Sequence, residues 1–534
     1  MAIDKKTILF LFIIFTYYLH EEYHYLTGGG KMSNTRNYDV VVVGAGNAAL
    51  CAAISAKEGG ARVLVLERGP LEKRGGNSFF TDGAIRVAYN NLDAIRKVIP
   101  ELTDEEAELI VMPEYTESDY YNDLMRVTGG QSNPELAKQL VTKSYETIAW
   151  MRDQGIKFEL NYENQSFVQA GKRNFWGGLP IKTEDKGVGL MRRLFARTEE
   201  IGIDVWYDSR AVELISEHNT ISSVVVEKDH TRVTVQTSGV ILACGGFEAN
   251  KKMRSEYIGE EWEAAIVRGT EFNTGDGISM AMAVGAQKFG QWSGCHSIGT
   301  DYNAPKVGDF TKPGDIFKKH SYPYSVMLNN EGKRFVDEGA DLRNYTYAKY
   351  GREVLKQPGH VAYQIYDAQV RPMLRKEYDL EEATFYKAET LGELASLLPV
   401  NQTQFLKTIE EYNSAVQDGE YRPAERDGKG TKGITPPKSN WALRIEQGPF
   451  YAFPVTCGIT FSFGGLHVDT TGHVLDKEQQ PIKGLFAAGE MIGGIFYENY
   501  PGGSGLMSGA VFGKLAGSSA AHYIQEKVEA VNNH

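Results

Sequence analysis

From residue 38 to residue 67 the chain reads YDVVVVGAGNAALCAAISAKEGGARVLVLE, and the spacing of its apolar residues changes twice along the way. Residues 40–43 form an unbroken run of valines, the pattern of a strand covered on both faces in a parallel sheet. Gly44-Ala45-Gly46 breaks the run; an Ala-rich helix is predicted over 47–57, and 63–66 is a second buried strand ending at Glu67. Strand, glycine turn, helix, strand and terminal acid in this order predict a dinucleotide-binding βαβ unit. The glycines permit the turn and let a pyrophosphate approach, the helix N-terminus favours its charge, and the acid about 20 residues on accepts from a ribose hydroxyl. Gly44, Gly46, Ala48 and Glu67 are the candidate contacts, with Ala49 the small residue where helix packs on strand.

Further along, Asn133-Pro134 caps a helix predicted to run to about residue 153, with Leu136, Leu140, Val141, Tyr145, Ile148 and Met151 on one face. A second helix is predicted over 187–200 and a strand over 203–207. Alternation at 222–226 and 232–235 reads as a β-meander, and 240–246 returns to the parallel sheet. From 287 to 442 this order breaks down into segments rich in Tyr and charge, with loops at 301–319 and 422–439 and a helix at 401–416. Residues 463–469 read as a strand of the returning sheet, and a final helix is expected over about 507–521.

At 534 residues the chain exceeds the ~250–300 at which one hydrophobic core stops growing, so more than one domain is expected. Lys and Arg number 57 against 69 Asp and Glu, a net charge of −12 that argues against nucleic acid as a partner and leaves room for a local basic pocket. Cys51, Cys244, Cys295 and Cys457 are scattered, with no CxxC, iron–sulfur or haem spacing, which fits a reducing, cytoplasmic compartment and no metal. Residues 7–19 are apolar behind Lys5 and Lys6, shorter than the ~20 residues that span a bilayer. A membrane anchor and an extension unrelated to the fold both stay open for this segment, and Gly28-Gly29-Gly30 reads as a linker.

The residues after Glu67 select the cofactor. Residues 68–84, RGPLEKRGGNSFFTDGA, form a second glycine-rich loop that resembles the one wrapping FAD in the fumarate reductase and succinate dehydrogenase flavoprotein superfamily. That resemblance implies cofactor contacts from Arg68, Gly75, Gly76, Asn77, Ser78 and Gly83. It also implies an adenine contact from Ala211 or Val212, Ala243 and Gly245 in ACGG, Asp276 in TGDG, Gly489-Glu490 at the ribityl chain, and Ser504-Gly505-Leu506 at the flavin. The histidine that carries flavin covalently in succinate dehydrogenases corresponds to Asn77, so FAD is expected to be non-covalent. The implied fold class is α/β, a Rossmann-like FAD-binding domain with an inserted α+β capping domain. Its implied boundaries are 1–36 for the extension, 37–286 and 443–534 for the FAD domain, and 287–442 for the cap.

Within 335–352, FVDEGADLRNYTYAKYGR, Arg343 matches the superfamily arginine that transfers a proton beside the flavin, with Glu338 upstream. His296 occupies the place of a substrate-binding histidine. Two positions depart from fumarate reductases: their substrate arginine, ten residues past the ribityl glutamate, is Tyr500 here, and a substrate histidine is Thr460. Taken together, GAGNAALCAA, RGGNS, DLRNYTYAKYGR and YENYPGGSG look most like the tricarballylate dehydrogenase group. The implied activity is hydride transfer between a carboxylate substrate's C–C or C=C bond and flavin, with a separate electron acceptor or redox protein. Ketosteroid dehydrogenases, which carry a tyrosine in a YPG motif, are the alternative, and a non-catalytic flavin-binding redox partner is the third. With Asn77 at the covalent position, acid precipitation should release all flavin into the supernatant; flavin retained in the washed pellet would refute a non-covalent attachment.

Overall fold

Runs of β-branched residues pair in parallel to build the largest sheet among the described residues. A computed structural model describes residues 36–423 and 425–532; the apolar stretch at 7–19 and the linker glycines fall outside the described residues. The chain forms β1 (Arg36–Val43), β2 (Val63–Leu66), β3 (Asp204–Trp206), β4 (Ser209–Glu217), β5 (Thr220–Lys228) and β6 (Thr231–Leu242). Next come β7 (Ile266–Val267), β8 (Cys295–Asp301), β9 (Val326–Asn329), β10 (Ala362–Tyr366), β11 (Tyr386–Ala388) and β12 (Phe450–Ser462), and last β13 (His473–Leu475) and β14 (Pro481–Ala487). The first sheet is ordered β4-β5-β14-β6-β1-β2-β3, with β13 on β14. Its β1–β2, β2–β3 and β6–β14 pairs are parallel, and β4-β5-β6 is an antiparallel meander. Val40, Val41 and Val42 are fully buried, as a run without polar alternation requires.

The second sheet is organised on β12, which pairs with β7, β8, β10 and β11 along its length, while β9 pairs with β10. Its strands lie in sequence between β6 and β13, so it is an insertion within the strands of the first sheet, beginning at Ile266 and ending at Ser462.

The helices that position the site are α1 (Asn47–Glu58), α2 (Gly76–Phe80), α3 (Pro134–Asp153), α4 (Lys186–Glu200), α5 (Asp276–Ala283) and α6 (Ser504–Asn532). The α3 cap forms as its sequence predicts: Asn133 Oδ1 accepts from the backbone N–H groups of Glu135 and Leu136, and Pro134 opens the helix. A stripe of small residues lets α6 settle on α1. A Cβ at Gly513 would fall 2.5 Å from the Ala48 carbonyl oxygen, and one at Gly517 would fall 2.2 Å from that of Ala52. Ser55 Oγ donates to the Lys514 carbonyl at 2.8 Å and closes the same seam.

Three expectations are corrected. Residues 463–469 do not extend the returning sheet. Only Gly465–Leu466 is a strand, and it pairs with Lys288–Phe289 in a separate ribbon. Side chains at Gly464 and Gly465 would strike Trp292 and the Met491 carbonyl, so close backbone packing, not a ladder, holds this segment. β6 is one twelve-residue strand rather than two pieces, and α6 continues to Asn532 because no Gly or Pro interrupts it after Gly517.

Because α1 and α6 touch through backbone, Gly517→Val should overpack the seam and destabilise the protein by about 1–3 kcal/mol, and should lower flavin content as the start of α6 shifts. Urea midpoints and the ratio of flavin to protein check both; an unchanged midpoint would refute the contact's importance.

Candidate active site

The C-terminal ends of β1, β2 and β6 and the N-termini of α1, α5 and α6 surround one cavity. Among the sequence-predicted cofactor residues, Gly44, Gly46, Ala48, Glu67, Arg68, Gly76, Asn77, Ser78, Ala211, Ala243, Gly245, Asp276, Gly489, Glu490, Gly505 and Leu506 line it. Gly75, Gly83, Val212 and Ser504 do not; they shape the wall from behind. Gly75 takes the left-handed cap conformation of α2, and a Cβ on Gly83 would meet Thr183 Oγ1 at 2.4 Å. The β4–β5 register shifts between Ala211 and Glu213, leaving Val212 out of the pairing. Ser504 Oγ accepts from the Tyr120 hydroxyl at 3.0 Å.

These walls fit FAD. Gly44, at φ +106°, lets the turn after β1 close against the end of β6, since a Cβ there would lie 2.5 Å from the Ala243 carbonyl oxygen. Neither α1 nor α6 carries an acid in its first turn, so the positive ends of both helix dipoles are uncompensated by protein. Ser78 Oγ accepts from the Asn47 N–H at 3.0 Å, and Asn47 Nδ2 donates to the Leu506 carbonyl at 2.9 Å, which locks the two helix starts together. Glu67 stands at the expected ribose position, its Oε1 accepting from the Gly69 N–H at 2.7 Å. Asp276 draws in two cations, Arg68 at 3.1 Å and Arg210 at 2.8 Å.

Asn77 is committed at every polar atom. Its Nδ2 donates to Glu248 Oε1 (2.7 Å) and to the Thr460 carbonyl (2.6 Å), and its Oδ1 accepts from the Thr270 N–H (2.9 Å). Glu248 Oε1 also accepts from Asn273 Nδ2, and Glu490 Oε1 accepts from the Ser462 N–H at 2.7 Å. Burial raises both glutamates above the usual carboxylate range, and for Glu490 the Glu248 carboxylate adds to the effect. Glu248 escaped the sequence reading, although it lies two residues past the glycine pair in ACGGFEAN.

Beyond the flavin end, β8 and β12 hold His296 directly opposite Phe461. The two rings stack at 5.3 Å, and the Tyr347 and Tyr500 rings stand edge-on to His296 at 5.2 and 5.0 Å. Tyr347 donates its hydroxyl to that of Tyr500 at 2.6 Å. Arg343 joins through Tyr347, its guanidinium over that ring at 5.6 Å, with Nη2 donating to Asn344 Oδ1. Thr460 Oγ1 accepts from Arg268, which pairs with Asp315. Thus Arg343, Tyr500, His296 and Thr460 share one region. Glu338 does not serve Arg343; it is fully buried, ion-paired to Arg334 and accepting from the Met327 N–H. Burial and then the nearby Arg375 lower Arg343, while burial and Arg268 hold His296 neutral. His320, Tyr347 and Arg268 were also missed. Tyr347 sits one helical turn past Arg343, but nothing local in the sequence marks the other two.

Glu67 gives the cavity a pH dependence. Burial pushes its carboxyl from the usual 4.5 up to about 7, against the opposing pull of the Gly69 N–H. Between those values the folded chain binds more protons than the unfolded one, so this group makes stability fall as pH rises, by roughly 3 kcal/mol over the window. Urea unfolding of flavin-stripped protein at pH 5 and 7.5 should show the decline, and Glu67→Gln should flatten it; an identical slope in the variant would exclude Glu67 as its source.

The chain is 30% identical over 498 residues to the NADH:fumarate oxidoreductase of Klebsiella pneumoniae (strain 342), covering 92% of this chain and 48% of that protein, so it spans about half of that relative's length. The open conformation of a flavocytochrome c3 fumarate reductase superposes with a TM-score of 0.69 at 25% identity, over 98% of this chain and 82% of that one. A 3-ketosteroid delta1-dehydrogenase from Sterolibacterium denitrificans shares the fold, with a TM-score of 0.70 at 20% identity over 91% and 100% of the two chains. The family described as the FAD binding domain matches residues 39–506, and the chain belongs to that family.

Proposed function

We propose that this chain is an FAD-dependent oxidoreductase acting on the C–C or C=C bond of a carboxylate substrate, of the tricarballylate dehydrogenase or fumarate reductase type. In this reading the second sheet belongs to the capping domain expected at 287–442, although its strands run more widely, from Ile266 to Ser462. When bound, FAD supplies the hydride acceptor or donor. The observation that carries the reading is Arg343: a half-buried guanidinium whose contacts are His320, Asn344 and the Tyr347 face, with no carboxylate in ion-pair range among the described residues. A guanidinium left without an anion in the interior is satisfied by an anionic ligand.

In this reading Arg343 holds or releases the proton exchanged at the substrate carbon beside the one that gives up hydride. Burial and Arg375 lower its affinity for that proton, the direction an arginine needs to take part. Tyr500 and His296 orient the substrate, and Arg268 with Thr460 adds positive charge where enolate-like density gathers. Electrons then leave for a separate acceptor or redox protein. Named activities of relatives support a carboxylate: the Klebsiella protein is an NADH:fumarate oxidoreductase and the flavocytochrome a fumarate reductase. One feature favours a ketosteroid-type desaturase as a second reading, the buried Tyr347–Tyr500 hydroxyl pair, which would suit a carbonyl oxygen.

Arg343→Ala should lower kcat and kcat/KM together by about 10²–10⁴-fold with FAD retained. Tyr500→Phe removes one neutral hydrogen bond and should cost about tenfold or less, mostly in KM. Steady-state kinetics on variants of wild-type flavin content decide; a crippled Tyr500→Phe beside a nearly normal Arg343→Ala would displace the carboxylate reading in favour of the ketosteroid one.

A further inference from the structure

His320 is 6% exposed, beside Arg343, and nothing in the sequence singled it out. Its ring stands edge-on to Tyr347 at 5.1 Å, as the His296 ring does at 5.2 Å. Its Nδ1 lies 3.5 Å from Arg343 Nη1. A guanidinium has only donors, so this contact requires Nδ1 to be the acceptor and places the proton of the neutral ring on Nε2. Nε2 is buried and has no hydrogen-bond partner among the described residues. Buried donors are rarely left in that state, and the missing acceptor is one the fold does not supply.

The surroundings define what that acceptor is. Four cations face His320: Arg343, Lys318, Arg375 and Arg268. The carboxylates around them are already engaged: Asp315 with Arg268, Glu377 with Arg375 at 2.9 Å, and Asp82 shared between Lys318 and Lys186 at 2.9 Å each. An N–H aimed from within this positive field, with the local acids taken, calls for an anionic oxygen brought by a ligand. Burial and the same four cations keep the ring neutral, so it donates without adding a further charge.

We infer that His320 is a substrate-binding residue that grips Arg343 through Nδ1 and donates from Nε2–H to a carboxylate oxygen of the substrate. The inference rests on the carboxylate reading above and assigns that reading a second contact point, a histidine that meets Tyr347 edge-on as His296 does. One imidazole then sets the guanidinium's orientation and the substrate's position together.

Anaerobic stopped-flow reduction of the FAD-loaded protein by propane-1,2,3-tricarboxylate or succinate separates Kd from the limiting rate. His320→Leu removes the donor at similar volume, while His320→Gln returns an N–H near the Nε2 position. The leucine variant should raise Kd at least tenfold, with a smaller fall in limiting rate, and glutamine should restore binding to within a few fold. Binding by His320→Leu within twofold of wild type would overturn the inference and leave the carboxylate reading standing. If the wild-type flavin responds to neither acid, nor in its reduced form to fumarate or cis-aconitate, the carboxylate reading itself fails, and this inference with it. Should the leucine variant lose its flavin, glutamine decides alone: near wild-type Kd supports the role of His320, and a tenfold loss overturns it.

Discussion

The carbonyl oxygens of Ala48 and Ala52 occupy the space that Cβ atoms on Gly513 and Gly517 would need, so α1 and α6 meet backbone to backbone. That contact brings two helix N-termini, widely separated in sequence, to one cavity, with Asn47 tied to the Leu506 carbonyl between them. Uncompensated N–H groups and dipoles from both helices then face the same cavity, where they would favour the negative charge that FAD carries on its phosphates and gathers on its flavin when reduced. Were the seam widened by one side chain, neither end would keep its distance.

Polarity is divided across the site. On the cofactor side the buried ionisable groups are acids: Glu67, Glu248 and Glu490, each held toward its protonated form by burial. On the substrate side they are bases and cations: His296 and His320 held neutral, with Arg343, Arg268 and Lys318 around them. Asn77 stands between the halves, with Glu248 on one side and the Thr460 carbonyl on the other. A neutral amide at that position bridges them without choosing a sign, and it leaves no nucleophile for a covalent flavin link.

The FAD half of the site was largely legible because its chemistry is local. A glycine that must avoid the Ala243 carbonyl, an acid at the end of β2 and a serine capping α1 each occupy a fixed offset within a short motif. Motif reasoning placed most of these residues on the cavity wall. Gly75 and Val212 fall off that wall, because a left-handed cap and a slipped register do not differ in sequence from lining positions.

The substrate half shows where local reading stops. Arg343 was recognisable from its segment, but the upstream partner read for it, Glu338, pairs with Arg334 instead. The residue that does approach Arg343 is His320, twenty-three positions earlier and on a different turn. Periodicity and glycine placement determined the dinucleotide-binding βαβ unit, since it follows from backbone sterics within a few tens of residues, while FAD and the inserted-cap α/β class came from the resemblance of the later motifs. Tertiary structure alone decided which histidine meets the arginine, which acid neutralises which cation, and which buried donors remain unpaired. Those outcomes depend on how β8, β12 and the 301–350 segment pack, and long-range packing of side chains leaves no periodic trace in the chain.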